Sequence, residues 1–236
     1  MPRIESLDSG PTPQRESLNH QAIEDYVKTI YVLAQEQSPV STSRVAQARN
    51  VKPASATSMI QRLAKLNLVN YEKHYGVTLT EAGEKLALEV IRHHRLLELY
   101  LMEALGFSWD EVHEQADILE HVISEKLEER IAAALNYPTL DPHGDPIPTL
   151  DGFVDEPETQ WLADVPVGGR ARVARIPDDS NSDLLRYLAD MGLVLGTEFE
   201  VIDVAPFEGS YTLDLDGRQV VISRSVALLV LVVALT

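Results

Sequence analysis

The sequence predicts an α+β fold in which a winged helix-turn-helix is followed by a helical domain and a small SH3-like β-barrel. Three observations predict it: three helical patterns before a β-hairpin pattern, two long amphipathic patterns, and a final run of short apolar strands with glycine turns. The expected boundaries are a flexible arm at 1–18, the winged helix-turn-helix at 19–81, the helical domain at 82–140, a linker at 141–160 and the barrel at 161–236.

The N-terminal module is predicted from helix signals. Apolar residues of 19–35 lie mostly on one helical stripe, and Ser41 offers an N-cap for a second helix. A third helix begins with Pro53, which suits a first helical turn because the N–H it lacks has no helical partner there. The segment LVNYEKHYGVTLT predicts two short strands with a turn near Tyr75-Gly76. This order of elements is that of a winged helix-turn-helix.

Two long helices are expected next, from Glu81 to about Leu105 and from about Ser108 to Asn136. Both are amphipathic, which suits the interface of a dimer. The segment that follows, NYPTLDPHGDPIPTLDGFVDEPE, is rich in Pro, Gly and Asp. We therefore expect a loop or linker there.

The C-terminal part alternates short apolar strands with glycine turns. The strand patterns are GGRARVARI, GTEFEVIDV, SYTLDL, RQVVISR and ALLVLVV, and SDLLRYLADMGL predicts a short helix among them. Together they predict a small barrel of SH3 type. The apolar run Val226–Leu235 is about half as long as a membrane-spanning helix, so we expect a buried strand and no membrane partner.

Composition limits the possible functions. The chain has no cysteine, which excludes a disulfide framework, a thiolate zinc site and a cysteine nucleophile. The N-terminus lacks the apolar stretch of a secretory signal, so a cytoplasmic location is expected. The net charge of −17 argues against indiscriminate nucleic-acid binding. The charge is uneven, however: Ser41–Lys73 holds six cations and one acid, whereas Glu103–Asp164 holds two cations among many carboxylates.

The basic N-terminal segment predicts DNA binding. Small polar residues on the third helix can approach base edges or phosphates, and cations further along and in the wing can reach phosphates. The predicted DNA-binding residues are Arg44, Lys52, Ala54, Ser55, Thr57, Ser58, Arg62, Lys65 and Lys73. The alternative is a helix-turn-helix that contacts proteins, with its cations merely solvated. DNA binding is favoured because element order, charge and wing agree.

Histidines and carboxylates on the two long helices predict a metal site. On the second of these helices four such residues share one face, and the first carries a pair at positions i and i+4. Their clustering is costly without a cation, and mixed imidazole and carboxylate donors favour a divalent transition metal. The set is His94, Glu98, His113, Asp117, Glu120 and His121. Among the other histidines, His74, His93 and His143 are expected to be solvated.

With these residues in place, the chain resembles the diphtheria toxin repressor family of iron- and manganese-dependent regulators. The matching segments are EDYVKTIYVL, PASATSMIQRLAKLNLV, LTEAGEKLALEVIRHHRLLELYL, WDEVHEQADILEHVISEKLEERI and GDPIPTLDG. The segment LLRYLADMGLVLGTEFEVIDVAPFEG is similar to the FeoA-like SH3 domain that many members carry. The spacing of the histidines and carboxylates is the most specific part of this resemblance.

The resemblance implies two metal sites per subunit. The primary site would comprise Asp25, Asp117, Glu120 and His121, and the second His94, Glu98 and His113. Some members add ligands from the SH3-like domain, and the acidic turn 178–183 offers Asp179 and Asp183 for that role.

Departures from the family pattern favour Mn²⁺ over Fe²⁺, which is the alternative. In iron-sensing members the positions of Asp25 and Asp117 carry sulfur ligands, whereas here both are carboxylates, which suit the harder Mn²⁺. Short manganese-sensing members have a glutamate ligand at the position of Lys28. The site should therefore resemble that of the longer manganese regulators with an SH3-like domain.

The resemblance implies a homodimeric repressor of metal-uptake genes that binds double-stranded palindromic operator DNA. Metal would clip the first helix to the dimerisation helix and so fix the spacing of two recognition helices. We weighed two other classes. A metal-dependent enzyme is disfavoured because the sequence has no nucleophile elbow and no glycine-rich phosphate loop. A metal-buffering or scaffold protein is disfavoured by the basic recognition helix.

Overall fold

The computed structural model describes residues 13–207 and 209–235, and it divides into two compact units that meet in the chain between Val90 and Ile91. The first unit is a winged helix-turn-helix, as predicted. It comprises α1 (Pro13–Glu36), α2 (Thr42–Ala48), α3 (Pro53–Lys65), β1 (Val69–Glu72), β2 (Gly76–Leu79) and the start of α4 (Glu81–Leu105). Apolar side chains of the helices and the antiparallel β1–β2 hairpin form its core.

The local signals in this unit act as the sequence predicts. The Ser41 side chain caps α2 by accepting the N–H of Arg44 at 3.2 Å, and Pro53 is the first residue of α3. The predicted arm at 1–18 lies partly outside the described residues. Its described part is helical, because α1 begins at Pro13 rather than near residue 19.

The second unit contains the rest of α4 and two short helices, α5 (Val112–Leu119) and α6 (Glu125–Ala134). The prediction of one helix from Ser108 to Asn136 is wrong. The chain turns after α5, and the Ser124 side chain caps a new helix by accepting the N–H of Leu127 at 3.4 Å. A capping serine inside an amphipathic pattern therefore divides it into two helices.

The first half of the predicted linker at 141–160 is part of the protein interior rather than a connection between domains. Residues 141–148 are all buried. The Asp141 side chain accepts the N–H groups of His143 and Asp145 at 2.8 and 2.9 Å, and the N–H of Ile176 donates to the carbonyl of His143 at 2.8 Å. Backbone groups that are satisfied in this way can leave solvent without penalty.

The C-terminal part of the second unit is an SH3-like antiparallel sheet in the order β3-β8-β4-β5-β6-β7. Its strands are β3 (Gln160–Trp161), β4 (Arg170–Arg175), β5 (Glu198–Val204), β6 (Tyr211–Leu215), β7 (Arg218–Ile222) and β8 (Leu231–Leu235). The predicted short helix is α7 (Ser182–Met191), which packs its apolar face on the core of the sheet.

The apolar run Val226–Leu235 is not one strand. Its start belongs to the short helix α8 (Arg224–Ala227), which Ser223 caps, and only Leu231–Leu235 forms β8. Leu228 and Leu229 lie between them and are exposed. Among the described residues, none of the helices combines the length and the apolar character needed to span a bilayer.

Candidate functional site

Helix α4 supplies the first two members of a buried polar cluster in the second unit. His94 and Glu98 are one helical turn apart, and Nε2 of His94 lies 2.9 Å from Oε1 of Glu98. Both side chains are buried, and Glu98 is fully so. A fully buried carboxylate is unfavourable unless cations or donors surround it, so its neighbours decide what this site can do.

The third and fourth members come from α5 and from the turn before α7. Nδ1 of His113 lies 3.2 Å from Oε1 of Glu98 and 3.5 Å from Oδ1 of Asp179. One potential ligand atom from each of His94, Glu98, His113 and Asp179 falls within 4.8 Å of the others. The predicted residue Asp183 is not in this cluster: its side chain is exposed and pairs with Arg186 at 2.6 Å.

The other oxygen of Glu98 faces a histidine that we expected to be solvated. His143 is fully buried, and its Nδ1 lies 3.7 Å from Oε2 of Glu98. Nε2 of His143 donates to the carbonyl of Trp109 at 2.7 Å, since a carbonyl only accepts. Glu98, Asp141 and His143 form a second group of potential ligand atoms within 4.8 Å of one another.

Three atoms of this second group suit a cation. Oε2 of Glu98, Oδ2 of Asp141 and Nδ1 of His143 are buried without a hydrogen-bond partner. Because the hydrogen on Nε2 is given to Trp109, a neutral His143 directs a lone pair towards two carboxylates. Such an arrangement is repulsive unless a proton or a metal ion lies between the groups. The residues present therefore fit a bound divalent cation.

Sequence reasoning missed Asp141 and His143. They lie in a Pro- and Gly-rich segment whose composition indicates a loop. The one signal that pointed to them was the alternation Asp-Pro-His-Gly-Asp over residues 141–145, which puts potential ligands two residues apart.

The histidines carry raised pKa values because carboxylates surround them. Burial lowers the pKa of His113, but hydrogen bonds to Asp179 and Glu98 outweigh burial and raise it to about 10. Burial likewise lowers the pKa of His143, yet Glu98 and Asp141 raise it to about 9. The carboxylates of the cluster thus stabilise positive charge on these two histidines.

The pKa values of the carboxylates Glu98 and Asp141 shift in opposite directions. Burial raises the pKa of Glu98, but the positive charge of His94 and the close approach of the His94, His113 and His143 rings hold it well below its usual range. Burial and the nearby charges of Asp145 and Glu98 raise the pKa of Asp141 well above its usual range. A divalent cation would allow both groups to be ionised together.

His94 also takes part in a second set of contacts. Its Nδ1 lies 2.5 Å from Oε2 of Glu120 and 3.3 Å from Oδ1 of Asp117. Nε2 of His121 lies 3.4 Å from Oε1 of Glu120. Glu120 caps the C-terminus of α5 and His121 follows in the turn, so these residues meet through the break between the helices rather than along one helical face.

The remaining predicted ligand, Asp25, lies on α1 in the first unit. Its Oδ2 accepts a hydrogen bond from Nη2 of Arg49 at 2.7 Å, and the guanidinium of Arg49 lies over the ring of Tyr26. Both charged side chains are partly buried. Arg49 ends α2, so this ion pair joins α1 to the helix-turn-helix.

The expectation that His93 is solvated is wrong. His93 is buried, its Nε2 lies 3.2 Å from Oε2 of Glu128, and its Nδ1 lies 3.2 Å from the carbonyl of Glu120. Arg92 pairs with the same carboxylate at 2.5 Å. This polar contact packs α4 against α6. His74 is exposed in the hairpin turn, as expected.

The predicted DNA-binding residues lie on and around α3 in the first unit. Those that are exposed are Lys52, Ala54, Ser55, Ser58, Lys65 and Lys73. Thr57 and Arg62 are partly buried, and the Thr57 hydroxyl donates to the carbonyl of Pro53 at 2.9 Å. Arg44 pairs with Glu36 at 2.5 Å, so it would have to leave that partner to reach a phosphate.

Three family models match consecutive parts of the chain. The iron dependent repressor N-terminal DNA binding domain matches residues 20–77. The iron dependent repressor metal binding and dimerisation domain matches residues 80–149. The FeoA domain matches residues 161–234. The buried polar cluster takes residues from the second and third of these segments.

The curated relatives and solved structures that the chain is similar to also include metal-dependent repressors. The chain is 32% identical over 182 residues to the iron-dependent repressor IdeR of Mycobacterium tuberculosis, covering 72% of this chain and 79% of the relative. It is 31% identical over 189 residues to the diphtheria toxin repressor of Corynebacterium glutamicum, covering 76% and 83%. Its fold is similar to a manganese-dependent transcriptional repressor in complex with manganese (TM-score 0.83, 40% identity, 90% of this chain and 100% of that one). It is also similar to ScaR with bound Zn²⁺ (TM-score 0.74, 32% identity, 90% and 99%).

Proposed function

Because the chain belongs to the diphtheria toxin repressor family of iron- and manganese-dependent regulators, we propose that it is a DNA-binding transcriptional repressor activated by a divalent metal ion, Mn²⁺. One observation carries the proposal. The buried carboxylate of Glu98 is flanked by His94, His113 and His143, and partnerless ligand atoms converge on it. The protein would act in the cytoplasm, on genes for metal uptake.

The donor set supports Mn²⁺ as the activating ion. No cysteine is available, and carboxylate oxygens outnumber imidazole nitrogens among the proposed ligands. Oxygen donors lose little with Mn²⁺, whereas sulfur donors would favour Fe²⁺. Fe²⁺ is the alternative activator, because similar proteins include iron-dependent as well as manganese-dependent repressors. When bound, the metal would supply the positive charge that these carboxylates otherwise receive from protonated histidines.

Two metal sites per subunit form part of the proposal. The first would use Asp25, Asp117, Glu120 and His121, as the resemblance implies. The second would use His94, Glu98 and His113 with Asp179, and their short separations support it. Asp141 and His143 adjoin the second site through Glu98, and we add them to its ligand sphere.

The residues of the chain perform the regulatory step as follows. As the resemblance implies, a metal ion held by the first site would fix α1, which packs in the core with α3. Because α3 is the recognition helix, a homodimer then presents two such helices at a fixed spacing to a palindromic operator. Metal and DNA binding are in this way reciprocally coupled.

The proposal is tested by titrating Mn²⁺, Fe²⁺ and Zn²⁺ into the protein while its binding to promoter DNA of a metal-uptake operon is followed at fixed salt. Mn²⁺ should raise DNA affinity by about five- to 150-fold, as expected for a coupling free energy of about 1–3 kcal/mol, and a chelator should reverse the effect. If none of the three metals changes the affinity for DNA, the proposal that the protein is a metal-dependent regulator is refuted.

A further inference from the structure

One carboxylate oxygen in the second unit joins three segments of the chain. Oδ1 of Asp145 accepts a hydrogen bond from Nη2 of Arg95 at 2.9 Å and another from Nη2 of Arg175 at 2.6 Å. Asp145 is buried, whereas the two arginines are partly accessible. The three residues come from α4, from the loop at 141–148 and from the end of β4.

Each of these segments also carries proposed metal ligands close to the ion pair. Arg95 directly follows His94 on α4, His143 precedes Asp145 by two residues, and Asp179 follows Arg175 by four. The ligand-bearing segments are therefore tied together at a point that is not itself a ligand of the cluster.

Hydrogen bonds to backbone carbonyls of the loop at 141–148 hold it rigidly between α4 and β4. Nη1 of Arg95 donates to the carbonyl of Pro146, and the N–H of Ile176 donates to the carbonyl of His143 at 2.8 Å. A Cβ atom on Gly144 would lie 2.0 Å from the carbonyl oxygen of Ala174, so the loop touches β4 without space for a side chain. A shift of β4 would move His143 with it.

Breaking this ion pair would cost the folded protein considerable free energy. Asp145 lies in the interior, where an uncompensated carboxylate is strongly unfavourable. If Arg175 is lost, Arg95 must compensate the charge alone, and the link from the loop to β4 is gone. The loop could then move away from Glu98 while α4 stays in place.

We propose that Arg175 is a positioning residue of the metal site, which acts through Asp145 to hold His143, Asp141 and Asp179 against Glu98. Through this ion pair, the end of β4 in the SH3-like sheet contributes to the geometry of the metal site. This inference rests on the proposed function, since it assumes that the cluster around Glu98 binds the activating metal.

The experiment compares Mn²⁺ titrations, followed by calorimetry, of the full-length wild type with those of Arg175→Gln and Asp145→Asn. Substitution of residues that orient metal ligands weakens metal affinity by about ten- to a hundredfold, and we expect that loss in both variants. Arg170→Gln is the matched control: it changes the same residue type at the other end of β4, where the exposed Arg170 pairs with Glu198. It should bind Mn²⁺ as the wild type does.

Two readouts distinguish a role in positioning the metal ligands from a purely structural role of Arg175. The absorption spectrum of bound Co²⁺ reports the ligand set, so it should differ between wild type and Arg175→Gln even where both are folded and saturated. Arg175→Lys, which keeps the charge, should recover most of the Mn²⁺ affinity. An unchanged Co²⁺ spectrum and unchanged Mn²⁺ affinity in folded Arg175→Gln and Asp145→Asn would overturn the proposal.

The same series distinguishes this failure from failure of the proposed function. Glu98→Gln identifies the binding event that belongs to the cluster. If wild type shows no event that Glu98→Gln abolishes, the metal site itself is refuted. If that event exists and both ion-pair variants leave it unchanged, only the positioning role is refuted.

Discussion

Nδ1 of His143 faces Oε2 of Glu98 across 3.7 Å, and both side chains are fully buried. The opposite nitrogen of His143 donates to the carbonyl of Trp109. Only a proton on Nδ1, or a metal ion in its place, turns the contact between these two residues from repulsive to attractive. We therefore expect metal binding by the proposed site to depend most on Glu98.

Glu98→Gln should abolish one Mn²⁺-binding event per subunit, because the substitution replaces the central carboxylate with a neutral amide of the same shape. The measurement is the binding stoichiometry from Mn²⁺ titration, with folding checked by circular dichroism. Glu103→Gln is the control, since Glu103 lies on the same helix but is exposed. Equal stoichiometry in the two variants would contradict the assignment.

The raised pKa values of His113 and His143 predict opposite effects of pH on stability and on metal affinity. The folded-state values of about 10 and about 9 exceed the usual 6.5, so protonation stabilises the metal-free fold. That stabilisation is complete below about pH 6.5 and is lost as pH rises through about 9–10. The melting temperature of the metal-free protein should therefore fall over this window.

Mn²⁺ affinity should rise over the same window, because the ion must displace these protons. Calorimetric titration between about pH 6.5 and pH 8.5 measures the effect. The Glu98→Gln variant removes the carboxylate that both histidines face and should flatten the pH dependence of the melting temperature. If wild type and Glu98→Gln melt with the same pH profile, the cause assigned to the pKa shifts is wrong.

The parts that the sequence predicted well are those that local chemistry determines. Ser41 caps α2 and Pro53 opens α3 through contacts within a few residues of themselves. The break after α5 was missed although it too is local, because an unbroken amphipathic pattern outweighed the capping signal of Ser124. A cap inside a periodic segment therefore deserves as much weight as the period itself.

The parts that the sequence did not predict depend on distant partners. His143 is buried because Arg95 and Arg175, 48 and 32 residues away in the sequence, anchor its loop through Asp145. The acidic turn offers several carboxylates of similar local character, and only the packing of that turn against α5 brings Asp179 near His113. No spacing rule within the segment distinguishes Asp179 from its neighbours.

Gly144→Ala should destabilise the protein far more than Gly168→Ala. Both glycines have positive φ, which costs an alanine about 1–2 kcal/mol. Only at Gly144 would the new Cβ also collide with a backbone oxygen, whereas nothing lies within 4 Å at Gly168. We expect the unfolding free energy to fall by about 2–5 kcal/mol in Gly144→Ala and by about 1–2 kcal/mol in Gly168→Ala, as measured by denaturant titration. Similar losses of unfolding free energy in the two variants would mean that the loop at 141–148 can move away from β4 to make room for the Cβ atom.

Lys52→Gln should weaken operator binding at all sequences alike and reduce its salt dependence. Lys52 is exposed at the start of α3, where a cation can reach a phosphate. Loss of one phosphate contact lowers the slope of log K against log salt concentration by about 0.9 per subunit. Lys85→Gln is the control, because Lys85 is exposed on α4 outside the recognition helix. An altered base preference in Lys52→Gln would instead assign Lys52 to base readout.

Leu127→Glu should dissociate the proposed homodimer while leaving metal binding intact. Ile118, Val122 and Leu127 are exposed apolar residues of the segment that matches the dimerisation domain, and none of them is a proposed ligand. Burial of one such side chain contributes about 1.5–3 kcal/mol, so its replacement by a charge should weaken association at least about tenfold. Analytical ultracentrifugation measures the change, with Val221→Glu as a control because Val221 is similarly exposed but lies on β7. Operator affinity should fall with the dimer, since one subunit can hold only one half-site. A Leu127→Glu protein that remains dimeric would place the interface on another face of the chain.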